Sequence, residues 1–103
     1  MALPTLSPEQ RAQALEKAVA SRNARSALRE DLKSGAITFE DALNRAETDE
    51  IIGRTRVLYA LESLPKIGKV RAREIINELG IAESRRLRGL GARQRADLIE
   101  RLA

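Results

Sequence analysis

The chain has 103 residues, 43% of them apolar, which suffices for one domain around one modest core. It has no cysteine, hence no disulfide framework or thiolate zinc site. It has no histidine either, so the usual general base at neutral pH and the commonest metal ligand are both missing.

The net charge of +4 hides an asymmetry. Residues 1–53 carry seven Lys/Arg against nine Asp/Glu, and residues 54–103 carry twelve against six. A concentrated positive half is the footprint of a polyanion binder, but it is also a plain means to solubility, and composition does not separate the two. No apolar run approaches 18 residues, so no membrane span is expected. The opening "MALPTLSPEQ" lacks the basic-then-apolar plan of a secretory signal, and a cytoplasmic location follows as the expectation.

In chain order, Ser7-Pro8-Glu9-Gln10 reads as a helix start, with serine at the cap, proline in the first turn and glutamine three residues after the serine. The helix runs to about Ser34, where Gly35 supplies a left-handed stop. Leu15 and Val19 share one face, and Leu28 and Leu32 share another, offset by roughly 180–200° at 100° per residue. One straight helix cannot bury both stripes in the same core. Leu28 and Leu32 are therefore expected to dock, while the front half, with Arg22 and Arg25, projects or packs separately. Contact with a ligand and an exposed arm both stay open for it.

Thr38 caps a short helix near 39–47, with Asp41 three residues on and Ile37 placed for a hydrophobic staple. Thr48 or Asp49 then opens a helix from about 50 to 63, with Ile51, Thr55, Leu58 and Glu62 along one side. The acidic "ETDE" at its start complements the helix dipole without any metal. Ala72, Ile75, Ile76 and Leu79 mark a helix over 69–79 by their i, i+3, i+4, i+7 spacing, and Gly80 ends it. "IAESRRLRGLG" is irregular or one short turn, and "ARQRADLIERLA" forms a last helix burying Leu98, Ile99 and Leu102. The fold class is all-α with five or six helices: a long N-terminal helical extension over 1–35 and a compact multi-helix domain over 36–103.

Two glycine-containing helix starts carry the chemistry. The first amides of a helix lack internal partners and sit at the positive end of its dipole. At the 69–79 helix, Gly68 has no Cβ to hold a ligand off, and Lys66 and Lys69 add charge at the same spot, which together make a phosphate seat. Arg73 follows one turn later. Upstream of the last helix, Gly89 and Gly91 allow a tight turn with exposed amides. Arg85, Arg86 and Arg88 lie before them and Arg93 and Arg95 after, with guanidinium forks that match phosphate oxygens.

Phe39 and Tyr59 are the only aromatics, and both fall in helices where they fill the core. The stacking platform of a single-strand binder is thus missing, which favours duplex backbone. Nor does any helix combine Asn, Gln and Arg for base reading, so binding is expected to tolerate sequence and to depend on salt.

The segment "LESLPKIGKVRAREIINELGIAESRRLRGLG", with the "SPEQR" opening and the "ESRR-x-RGLG" run, resembles the actinobacterial integration host factors over most of the chain. The resemblance implies a long helix and a compact domain with a helix–two-turn–helix element at about 58–80. It implies a nucleoid-associated protein that binds double-stranded DNA mainly through phosphates, bends and compacts it, and supports integration; a monomer in solution is the separate expectation for the chain. Contacts would fall on Lys66, Gly68, Lys69, Val70 and Arg71, with Arg85, Arg86 and Arg88 as an arginine cluster. No enzyme activity, cofactor, metal, small-molecule substrate or membrane is implied.

"IGKVRA" alone is also similar to the element of formamidopyrimidine-type DNA glycosylases and to a hairpin of a ribosomal protein that binds ribosomal RNA. The glycosylase parallel lacks its parts, an N-terminal catalytic Pro-Glu and a cysteine zinc finger. Structured RNA remains the alternative ligand.

Overall fold

The computed structural model describes residues 7–102; residues 1–6, part of the opening read for a leader, lie outside it. Six α-helices and one 3-10 turn make up the regular structure of the described residues, in an all-α arrangement of 48 × 32 × 26 Å. Helix α1 spans Pro8–Ser34. Its start is a reciprocal capping box: the Gln10 amide donates to Ser7 Oγ at 3.1 Å, and the Ser7 amide donates to Gln10 Oε1 at 2.9 Å. Gly35, at φ 79°, ends it in the left-handed conformation that the sequence predicts.

The split of α1 is as expected. Leu28 and Leu32 are buried, whereas Leu15 and Val19 are 65% and 46% exposed. The Tyr59 hydroxyl donates to the Arg25 carbonyl at 3.4 Å, tying α1 to the domain just ahead of Leu28.

Helix α2, Phe39–Thr48, opens on a second box, Thr38 with Asp41, and buries Phe39, Ala42, Leu43 and Ala46 at helical spacing. The backbone and side-chain hydrogen bonds from Thr38, helped by Arg45, hold the Asp41 carboxyl below its ordinary pKa. Asp49 then caps the next helix, accepting from the amides of Ile51 and Ile52 at 2.9 and 3.2 Å.

The single helix expected over 50–63 is two helices, α3 at Glu50–Gly53 and α4 at Val57–Glu62. The break has a tertiary cause. The Val57 amide donates to the Arg85 carbonyl at 3.0 Å, and the Leu87 amide donates to the Thr55 carbonyl at 2.9 Å. Residue 56 thereby forms an isolated antiparallel bridge with residue 86. The buried Thr55 settles its hydroxyl on the Ile51 carbonyl at 3.0 Å, so the break leaves no orphaned polar group there. Gly53 is needed for contact: a Cβ there would sit 2.8 Å from the Ala46 carbonyl oxygen, so α2 and α3 meet backbone to backbone.

Residues 63–68 make two successive turns, in which the Leu64 amide bonds to Leu61 and the Ile67 amide to Leu64, both at 3.1 Å. Helix α5, Lys69–Glu78, follows, burying Ala72, Ile75 and Ile76; its last carbonyls are closed by Gly80 at φ 68°. The 3-10 turn Leu87–Gly89 and helix α6, Ala92–Leu102, complete the chain. One apolar cluster joins all of them, from Leu28 and Leu32 through Leu61, Ile75 and Ile76 to Leu98. Ile99 and Leu102 lie at its edge, half-buried.

Candidate nucleic-acid interface

Helices α1, α2 and α3 begin with Ser7, Thr38 and Asp49, each of whose side chains accepts a backbone amide. Helix α5 does not. Its N-cap is Gly68, in extended backbone at φ −91°, and no side chain takes up the first amides. A Cβ at Gly68 would meet nothing within 4 Å, so space and conformation do not demand glycine. What glycine leaves is a bare helix start.

Lys66, Lys69, Val70 and Arg71 surround that start and are all exposed, Val70 by 74%. Among the described residues none of the three cations has a carboxylate within salt-bridge distance. Arg73 differs, since it meets Glu83 at 3.7 Å in a loose pair with both side chains more than half exposed.

The second group is organised differently from a plain glycine turn. Neither Gly89 nor Gly91 takes a left-handed conformation. Both amides are used internally, Gly89 donating to the Arg86 carbonyl at 2.9 Å and Gly91 to Gln94 Oε1 at 3.3 Å. The exposed amides expected at these two glycines are therefore absent. The arginines are held instead by backbone. Arg85 donates to the Gly89 carbonyl at 3.2 Å and Arg86 to the Arg54 carbonyl at 2.8 Å, while the Arg88 stem lies against Gly53. Carbonyl oxygens orient a guanidinium without cancelling its charge. Arg85, Arg86, Arg88 and Arg93 have no carboxylate partner among the described residues.

Arg95 is a correction. Grouped with the phosphate-facing cations from sequence, it pairs with Glu47 at 2.7 Å and donates to the side-chain amide oxygen Oδ1 of Asn44, tying α6 to α2. The acidic tetrad is likewise spent internally: Glu47 on Arg95, Asp49 on the α3 amides, Glu50 on Arg54 at 2.6 Å.

Sequence reasoning did not join Arg54 and Arg56 to this region. The bridge between residues 56 and 86 brings them beside the arginine cluster. Its only local signal is weak, the β-branched Thr55 and Val57 on either side of Arg56. Between this corner and the exposed half of α1 runs a cleft of about 780 Å³, whose walls carry Lys17, Arg22, Arg25, Arg54 and Arg86 against Glu50 alone. Five cations to one acid make it a positive channel.

A family model described as the S13-like H2TH domain matches residues 32–102. Proteins named integration host factor from Mycolicibacterium smegmatis and Mycobacterium tuberculosis are 56% and 55% identical over 101 residues, 98% of this chain and 96% of each of theirs. One from Streptomyces coelicolor is 49% identical over 98 residues, covering 95% of this chain and 92% of its own. The chain belongs to this integration host factor family. Among solved structures, sIHF bound to an 8 bp palindromic DNA superposes with a TM-score of 0.83 at 41% identity, over 85% of this chain and 99% of that one. Within the family's frame, α4, the two turns and α5 are the helix–two-turn–helix element, and the bare start of α5 is its apex.

Proposed function

We propose that this chain is a non-enzymatic, nucleoid-associated architectural protein, monomeric in solution, that binds duplex DNA through phosphates with little sequence preference. Its sites are the α5 start (Lys66, Gly68, Lys69, Val70, Arg71, with Arg73 beyond) and the guanidinium groups of the arginine turn (Arg85, Arg86, Arg88 and Arg93). The observation that carries this reading is the set of exposed cations without acidic partners around an uncapped helix start, in a fold whose relative is seen on DNA. Lys17, Arg22 and Arg25 across the cleft would extend the same positive face. Bending, compaction and support of integration follow if contacts on both sides repay the cost of curving the duplex.

A salt titration of duplex binding tests the reading. If about six phosphates are neutralised, log affinity falls against log salt with a slope of about −5. A slope near zero would defeat it.

Structured RNA is the second reading, favoured by the S13-like character of the matched domain. Titrating duplex DNA and RNA of equal length side by side separates the two, and a large RNA preference would overturn the first.

A further inference from the structure

The bridge between the α3–α4 break and the arginine turn places two like charges where a fold ordinarily avoids them. Its two hydrogen bonds, Val57 to Arg85 and Leu87 to Thr55, flank residues 56 and 86. That pattern makes Arg56 and Arg86 a non-hydrogen-bonded pair, with Cα atoms about 4.5 Å apart and side chains leaving on the same face. Like charges directly opposite on paired strands are destabilising. A β-branched, aromatic or acidic residue at 56 would suit the pairing better.

Nothing in the described chain neutralises the pair. The nearby carboxylate, Glu50, is engaged by Arg54. Arg86 turns its guanidinium to the Arg54 carbonyl, and Arg56 stays exposed without a hydrogen-bond or ion-pair partner among the described residues. Arg85 and Arg88 flank the same two-residue ladder, and Arg86 also lines the positive cleft. A local cost kept without internal compensation marks a position whose counter-charge comes from outside.

We propose that Arg56 contacts phosphate, forming with Arg86 a two-arginine clamp on the sugar-phosphate backbone that extends the interface onto the α3–α4 break. This rests on the duplex-DNA reading above. The clamp is made by the bridge and not by either segment alone, since the two arginines stand thirty residues apart in sequence.

The test compares the full-length chain with its Arg56→Gln, Arg56→Lys and Arg45→Gln variants, by fluorescence anisotropy on one duplex over a salt series and by thermal melting. Arg45 lies on α2 beside Asp31 and controls for lost net charge. Arg56→Gln should make the salt slope shallower by about 0.9 and weaken binding about fivefold near ~0.15 M salt, the effect of one lost phosphate contact. Its melting temperature should hold or rise, because a repulsion has gone. Arg56→Lys should recover most of the slope.

A wild-type slope in Arg56→Gln, an equal loss in Arg45→Gln, or a lowered melting temperature in Arg56→Gln would each overturn the clamp while leaving the duplex reading standing. Failure of the wild-type chain to bind the duplex at low salt would instead defeat that reading, and the clamp with it.

Discussion

At the scale of single residues, Gly68 is where the proposed DNA contact would separate stability from function. Aspartate is among the best N-cap residues because its carboxylate accepts the first free amides, and at Gly68 a side chain has open space around it. Gly68→Asp should therefore stabilise α5 by a few tenths of a kcal/mol, seen as a small rise in melting temperature. The same carboxylate would occupy the proposed phosphate seat and repel its ligand. We expect duplex affinity to fall more than tenfold, by anisotropy at moderate salt, a loss of about 1.4 kcal/mol or more. Unchanged binding would mean that the α5 start does not face DNA. Arg95 shows the opposite division of labour, a cation that looks functional in sequence and serves to fasten α6 to α2.

At the scale of elements, α1 is two helices in one. Leu28→Ala removes a fully enclosed side chain and should cost about 2–5 kcal/mol in denaturant unfolding. Leu15→Ala, on the exposed half of the same helix, should stay within about 0.5 kcal/mol. This division could be read from the sequence because the angle between two apolar stripes is a local property of a helix. The same holds for the starts at Ser7 and Thr38 and the stops at Gly35 and Gly80, each decided by groups within four residues.

The break at residues 54–56 could not be read that way. Its deciding hydrogen-bond partners, Arg85 and Leu87, lie about thirty residues downstream, and residues 50–63 taken alone carry helical spacing throughout. Arg95 was opaque for the same reason, with Glu47 forty-eight residues away. The uncapped α5 start and its exposed cations were legible because glycine, lysines and helix start are contiguous. The arginine turn was legible in composition only, since the carbonyls that orient its guanidinium groups belong partly to the α3–α4 break.

At the scale of the whole molecule, the acids and bases of the described chain are sorted. The surface ion pairs mostly fasten one element to another, α2 to α1, α6 to α2 and α6 to α5. The cations around the α5 start and the arginine turn are left without acids. Exposed pairs contribute little stability, so such an arrangement concerns the field outside the molecule more than the folded state within. Arg85→Ala combined with Arg88→Ala should weaken binding to duplexes of unrelated sequence by the same factor, measured by competition between them. A changed preference at constant affinity would indicate base reading instead.

The bridge between residues 56 and 86 carries one more consequence. It brings together the two ends of the segment that holds the helix–two-turn–helix element, so that this stretch leaves and re-enters the domain at one place. A segment whose ends meet can be inserted into another chain without forcing its neighbours apart. Here the loop so closed is also held from within, since Leu61, Ile75 and Ile76 set its inner faces into the one apolar cluster.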